Sequence, residues 1–349
     1  MIEQIPIHAF QEELQKKSAA QRIPFEASLE VTYGCNLRCV HCYNPTHQAL
    51  PNELSTSGLF KILDDLAALG CMIVTVSGGE AFTRPDIWDI LHYAKQIGLQ
   101  INLFTNATLL DQTKIEKIQA LEPNLVSISI YGMTEKTYET VTQVPGSFKK
   151  FMTAFELLKN SKLPLLFKMP AMTLNRHELG LAHQWFKQQR LRFIHSAEIH
   201  PRVDGDTQPL AYRLSPEEAA LLRLSHEESP SCRTAANPLE SKTEVFTCSC
   251  GKKSFAITPY GEMNLCVTTY HPRYQIQTGS MKEGWKLLVD FVESFKPSER
   301  FECPQCEFSD DCSQGPMDAF LNTGDFNPCV PYFKETARRV KSLINNNEN

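Results

Sequence analysis

Cys35-Asn36-Leu37-Arg38-Cys39-Val40-His41-Cys42 places three cysteines in eight residues, spaced C-x3-C-x2-C, directly after the alternating run Ala27-Ser28-Leu29-Glu30-Val31-Thr32. Thiolates so close in sequence can wrap one metal centre. An iron–sulfur cluster held by three cysteines leaves one iron free of protein ligands, and an open iron can bind a substrate or cofactor. The same spacing admits a zinc knuckle completed by His41 or His47. It also admits a group of buried thiols with no metal.

Working outward, residues 27–205 alternate strand-like and helix-like segments. Strands are predicted at Leu29–Thr32, Met72–Val76, Gln100–Phe104, Leu125–Ile130, Leu165–Lys168 and Arg192–Ile199. Amphipathic helices are predicted at Ser55–Gly70, where Leu59, Ile62, Leu63 and Leu66 share a face, at Asp86–Ile97 and at Thr113–Leu121. Repeated strand–helix alternation implies a parallel sheet with helices packed outside it, as in a partial barrel. Chemistry in such sheets collects at the C-terminal ends of the strands, and the polar motifs of this chain sit there. The cysteine loop follows strand one and Ser77-Gly78-Gly79-Glu80 follows strand two. Its glycines let backbone approach a ligand closely, and its carboxylate can pair with an ammonium. Alone, that motif also fits an ordinary helix entry with an acidic first turn. Thr105-Asn106 ends strand three. Ser127, Ser129 and Tyr131 line the end of strand four, Lys168 ends strand five, and Glu198-Ile199-His200-Pro201-Arg202 ends strand six.

Taken together, these residues resemble the radical S-adenosylmethionine (radical SAM) superfamily. Its pattern is C-x3-C-x-Φ-C with Φ aromatic, and His41 stands at Φ. The resemblance implies a 4Fe–4S cluster on Cys35, Cys39 and Cys42 whose unique iron chelates S-adenosylmethionine. Reductive cleavage then yields a 5′-deoxyadenosyl radical that abstracts a substrate hydrogen. It assigns Ser77, Gly78, Gly79 and Glu80 to the SAM amino group, His41 to the adenine, and Asn106 and Ser129 to further SAM contacts. Arg202 falls to the SAM carboxylate or the substrate. Ala107 stands where the family carries the glycine of T-N-G. No catalytic acid or base emerges.

A second cysteine field begins at Cys232 and continues through Cys248, Cys250 and Cys266 to Cys303-x2-Cys306-x5-Cys312 and Cys329. Four thiols among turn residues define a metal site that zinc or an iron–sulfur cluster would satisfy. Cys250-x10-Gly261-x4-Cys266, with a hairpin turn at Tyr260-Gly261, resembles the SPASM extension of radical SAM enzymes, which holds two auxiliary 4Fe–4S clusters. The resemblance implies an outer cluster on Cys303, Cys306, Cys312 and Cys329. The inner one keeps Cys250 and Cys266 but meets Pro316 where the family has another cysteine, so Cys248 or Cys232 would have to substitute. The C-terminal region is expected to have too few apolar residues to fold without its metal. The expected fold is thus a partial (β/α)6 barrel over 27–205 after a lead-in over 1–26. A bridging helix within 206–231, a SPASM domain over 232–331 and a helical tail over 332–349 follow.

Bulk properties narrow the function. With 349 residues the chain has room for a full domain and a smaller one, and its net charge of −5 gives no basic surface for nucleic acid or an anionic membrane. No run of eighteen apolar residues and no signal peptide is present, and twelve cysteines then suit a reducing cytoplasm. The resemblance implies an enzyme that modifies a ribosomally made precursor peptide, similar to quinone-cofactor and mycofactocin maturases and to spliceases that excise tyramine. It implies an electron donor such as flavodoxin or ferredoxin. Residues 1–26 are too few for a leader-binding domain, so a separate small leader-binding protein is expected. A formylglycine-forming sulfatase maturase is the rival enzyme, but Val267 follows Cys266 where that family has an aspartate. A cluster- or zinc-bearing redox or binding protein is the non-enzymatic rival.

Overall fold

β1 (Glu26–Glu30) lies inside a nine-stranded sheet of order β6-β5-β4-β3-β2-β1-β7-β8-β9. The computed structural model describes residues 7–225 and 243–347. β2 (Ile73–Ser77), β3 (Gln100–Thr105), β4 (Leu125–Ser129), β5 (Leu165–Pro170) and β6 (Arg192–Ser196) follow β1 in sequence, each parallel to its neighbour. This is the expected parallel six-strand half-barrel. The connections are helical because their apolar residues recur at helical spacing. In α2 (Thr56–Leu69) Leu59, Ile62, Leu63 and Leu66 are buried as predicted. Ser55 caps its first turn by accepting a hydrogen bond from Gly58 N at 3.2 Å, and Gly70 ends it at φ 96°. α3 (Ile87–Gln96) and α4 (Gln112–Leu121) lie where the periodicity put them. α5 (Glu135–Thr142), α6 (Ser147–Leu158) and α7 (Leu179–Gln188) complete the outer layer.

β1 also pairs in parallel with β7 (Ser254–Ile257), which turns back through Thr258–Gly261 into β8 (Glu262–Asn264) and then β9 (Arg273–Gln275). The cysteine-rich region therefore extends the barrel sheet itself. Register sets Ala27 of β1 between Val74 of β2 and Phe255 of β7, so one strand joins both halves of the chemistry.

The C-terminal region has more apolar content than expected. α9 (Met281–Ser294) starts at a capping box between Ser280 and Glu283 and buries Met281, Trp285, Leu288, Val289 and Val292. Phe291 of that helix and Phe295 just past its end pack with Phe246 and Phe326, and Phe320 of α10 (Pro316–Thr323) stacks on Phe326 at 4.6 Å. Reading the region as thiols and turns missed these aromatics, which are spread from residue 246 to 326 and converge only in three dimensions. The bridge helix, α8 (Pro216–Ser225), packs against α11 (Pro331–Asn347), and α1 (Ile7–Ala20) is the lead-in helix. Cys232 lies outside the described residues. No helix among the described residues is long and apolar enough to cross a membrane.

Candidate functional site

The first cysteine loop is held from behind by backbone. Cys35 N donates to His47 O at 3.2 Å, Arg38 N to Thr142 O at 2.9 Å and Val40 N to Val141 O at 3.0 Å. Burial raises all three thiols: Cys35 to about 11, Cys42 to about 12, and Cys39 well above its ordinary value. Bare thiolates are therefore costly in this loop, and a cationic iron centre is what would keep them ionised. His41 stands against Tyr131, ring centroids 5.6 Å apart, with its Nδ1 buried and without a hydrogen bond. Arg202 binds Asp206 Oδ2 at 2.6 Å and Gln208 Oε1 at 3.0 Å, while its Nε is buried without a partner. Its charge reaches Cys42. Two polar atoms aimed inward and unpartnered beside the thiols fit a site meant for a polar cofactor.

Gly78 and Gly79 let two loops meet backbone to backbone. A Cβ on Gly78, which sits at φ 127°, would lie 2.2 Å from Thr32 O, and one on Gly79 would lie 2.4 Å from Gly34 O. Through this close approach Gly79 N donates to Thr32 O at 2.8 Å and Glu80 N to Gly34 O at 2.9 Å. The glycines clamp the Ser77–Glu80 loop directly onto the cysteine loop. Glu80, 1 % exposed, accepts hydrogen bonds from Thr105 Oγ1 at 2.9 Å and Asn106 N at 2.7 Å. Burial raises its carboxyl to about 7. Asn106 in turn bonds Asn36 Oδ1 at 3.0 Å, closing a ring through the ends of β1, β2 and β3. Ala107 takes φ 60°, the left-handed conformation that a glycine would adopt freely. Ser129 lies half-buried at the end of β4, close to the buried Tyr131. Lys168 is half-buried, its Nζ 4.8 Å from the Phe104 ring centroid.

Sequence reasoning passed over Glu30. It is 1 % exposed, its carboxyl is raised to about 7 by burial, and it accepts hydrogen bonds from Tyr43 Oη at 2.6 Å and Tyr33 Oη at 3.2 Å. It lies within electrostatic reach of Cys42 and of Cys266. The available signal was a carboxylate inside an otherwise apolar, alternating strand.

The second field splits in two. Cys303, Cys306, Cys312 and Cys329 line one cavity with Phe308, Gln314 and Lys334, the four-thiol grouping expected there. Cys248, Cys250 and Cys266 form a separate buried group in which the Cys250 thiol interacts with both others, lowering Cys266 and rising itself. His200 lies close enough to favour the Cys266 thiolate. Cys71 is buried elsewhere, its thiol pushed up to about 12 by burial. Among the described residues no three such side chains surround one point at ion-binding distance. A four-iron cluster takes one thiolate at each corner and does not require that convergence.

Residues 29–185 match the model of the Radical SAM superfamily. Over 328 residues the chain is 26% identical to the AdoMet-dependent heme synthase of Methanosarcina barkeri, covering 87% of this chain and 94% of that one. It is 25% identical to the mycofactocin maturase MftC of Mycobacterium tuberculosis, covering 86% and 80%. A shorter match, 30% over 158 residues (45% of this chain, 42% of the relative), is to the PqqA peptide cyclase of Bradyrhizobium diazoefficiens. Among solved structures, Streptococcus suis SuiB bound to S-adenosylmethionine superposes with a TM-score of 0.70 at 13% identity, over 94% of this chain and 83% of SuiB. Native anSMEcpe with bound AdoMet gives 0.68 at 18%, over 93% and 100%. These structures share the fold across both the barrel and the region that follows it.

Proposed function

We infer that this chain, which carries a radical SAM domain over residues 29–185, is an enzyme that modifies a ribosomally made precursor peptide. One observation supports this above the others. β7 pairs with β1, so Glu30 lies within reach of thiols from both cysteine fields. That arrangement suits net oxidation of a substrate held between them. Similarity to the mycofactocin maturase across 86% of this chain, and to the PqqA peptide cyclase over part of it, supports a peptide as that substrate.

Cys35, Cys39 and Cys42 would hold a 4Fe–4S cluster, and Glu80, the Ser77–Gly79 backbone, His41, Asn106, Ser129 and Arg202 would hold S-adenosylmethionine. Cys303, Cys306, Cys312 and Cys329 would hold one auxiliary cluster, and Cys248, Cys250 and Cys266 would belong to a second. When bound, these groups would supply one-electron chemistry: removal of a substrate hydrogen atom and a sink for the electron the substrate then loses. The protein supplies the rest. Burial of the loop keeps water from the radical. Glu30, positioned by Tyr33 and Tyr43, accepts the proton that an oxidation releases. Oxidation, cross-linking and excision of a tyramine unit are all open to such a site.

The likeness to peptide maturases extends the reading to a separate small leader-binding protein and to a flavodoxin or ferredoxin as electron donor. Anaerobically reconstituted enzyme should cleave S-adenosylmethionine to 5′-deoxyadenosine by itself and alter precursor peptide only with the partner present. Coupled peptide turnover by this chain alone would remove the partner.

The heme synthase likeness, which spans 94% of that protein, favours one second reading, a tetrapyrrole substrate. Conversion of a heme precursor by the reconstituted enzyme, without any peptide, would establish it.

A further inference from the structure

Lys168 of β5 and Ile194 of β6 face the inside of the half-barrel. Their neighbours Phe167 and Phe193 face outward, since each ring packs on Phe186 of α7 with centroids 4.7 Å apart. Toward the strand ends the inward positions Ser77, Phe104, Ser129, Lys168, Ile194 and Ser196 are all half-buried, whereas the outward positions between them are buried. The lumen is therefore open at this level. Lower down, polar side chains close it. Thr75 Oγ1 donates to Glu26 Oε1 at 2.5 Å, Asn102 Nδ2 to Thr75 Oγ1 at 3.1 Å and Asn124 Nδ2 to Asn102 Oδ1 at 2.8 Å.

Strand register puts Lys168 level with Ser129 of β4, yet its Nζ lies 4.8 Å from the centroid of the Phe104 ring. Phe104 is level with Ser127 and Leu166, one pleat deeper. The ammonium thus leans toward the floor, away from the strand ends where Glu80 binds Asn106 N. Among the described residues it makes no hydrogen bond and no ion pair. A ring face steadies a cation without using any of its three N–H donors. Partial burial works against the charge, and the carboxylate that acts on it, Glu26, already takes the Thr75 hydroxyl. A half-desolvated ammonium with its donors unused is built to receive an anion.

We propose that Lys168 is a specificity residue: its ammonium, steadied on the Phe104 ring, binds a carboxylate of the substrate inside the half-barrel. The proposal rests on the radical SAM reading above. Glu30, level with Ser77, faces the same lumen from β1. The charged end of the substrate is then held on β5, and the end to be oxidised is presented to the opposite wall. An acidic side chain or C-terminus of a peptide and a propionate of a tetrapyrrole carry the same group, and the test separates these sources.

Dissociation constants are measured on the full chain, reconstituted anaerobically with S-adenosylmethionine, for two pairs of probes. One pair is acetyl-Glu-Ala-Tyr as free acid and as full amide; the other is deuteroporphyrin and its dimethyl ester. The unmutated chain should bind the acid of one pair about 10–100-fold more tightly than its neutral form, the worth of one hydrogen bond to a charged group. Lys168→Met should lose that preference through weaker binding of the acid alone, and Lys168→Arg should keep most of it. Preference within the peptide pair identifies a peptide carboxylate, and preference within the porphyrin pair a propionate. No preference in either pair, a preference that survives in Lys168→Met, or equal weakening of acid and neutral forms would each overturn the assignment. A raised dissociation constant for S-adenosylmethionine in Lys168→Met would also overturn it, by giving the lysine to the cofactor. The radical SAM reading is judged separately, by whether the unmutated enzyme forms 5′-deoxyadenosine.

Discussion

The first cysteine loop and the second cysteine field flank the same strand and are built by different means. The loop after β1 is contiguous in sequence and fixed by backbone hydrogen bonds to Thr142, Val141 and His47. Two glycines press the Ser77–Glu80 loop against it with no room for a side chain. The second field is scattered from Cys248 to Cys329 and held by side-chain packing, with Phe246, Phe291, Phe295, Phe320 and Phe326 meeting beside it. A site fixed by backbone tolerates loss of a ligand without losing its shape. A site fixed by packing depends on groups that no short motif contains.

The largest effect separates the two regions by activity. Cys35→Ala, Cys39→Ala or Cys42→Ala should reduce 5′-deoxyadenosine formation to background while leaving circular dichroism unchanged, because the backbone hydrogen bonds to Thr142, Val141 and His47 that fix the loop do not use these side chains. Retained SAM cleavage in any one of them would refute the assignment of the loop.

Glu30 sharpens the comparison from the strand between the regions. Glu30→Gln keeps the shape and the tyrosine contacts but cannot take up a proton. Formation of 5′-deoxyadenosine should persist, while modified product falls by about 10²–10⁴-fold, the usual contribution of a general base. Equal loss of both activities would mean that Glu30 serves the first cluster only.

Cys303→Ala should remove about four irons per chain, one cluster's worth. The aromatic packing of α9 and α10 should nevertheless keep the region folded, contrary to what its turn-rich sequence suggests. Limited proteolysis decides this. Rapid cleavage within residues 281–331 of the variant would show that metal, rather than the aromatic cluster, holds the region.

How far the sequence spoke follows the same division. The strands and the extent of α2 were readable because each depends on residues near one another in the chain. The boundary of β1 shifted to Glu26–Glu30, since its pairing with β7 begins at Ser254, a partner more than two hundred residues away. Glu30 was not assigned a role because a buried carboxylate has no spacing rule, and only the tertiary fold brings it within electrostatic reach of Cys42 and Cys266.

A pH experiment probes the interior of both regions. Burial raises the carboxyls of Glu30 and Glu80 to about 7 in the folded chain. A raised carboxyl favours folding in its neutral form, so this contribution is complete below the unfolded value and is lost as pH rises through about 7. Each group should withdraw on the order of 1–3 kcal/mol over that range. The metal-free protein should melt at progressively lower temperature between about pH 5 and 8, and Glu30→Gln and Glu80→Gln should each flatten the slope. A melting temperature that rises across this range in the metal-free protein would contradict the buried, neutral carboxyls.

Ala107→Gly gives the smallest effect and tests how tightly the backbone-held region is specified. Ala107 sits at φ 60°, fully buried beside Asn106 at the end of β3. A left-handed conformation costs a non-glycine residue about 1–2 kcal/mol, and glycine removes that cost. Glycine also frees the unfolded chain, which opposes the gain by about 0.4–1 kcal/mol. The methyl group, buried against the core, contributes packing that the substitution forfeits. The terms nearly cancel, so a net change within about 1 kcal/mol is expected, read as a melting shift of about 2–4 °C at most. Binding of S-adenosylmethionine should not change, because the hydrogen bond from Asn106 N to Glu80 Oε2 at 2.7 Å uses backbone that either residue can follow. Loss of SAM cleavage in Ala107→Gly would show that the alanine methyl itself positions Asn106, and that a side chain does part of the fixing here assigned to backbone.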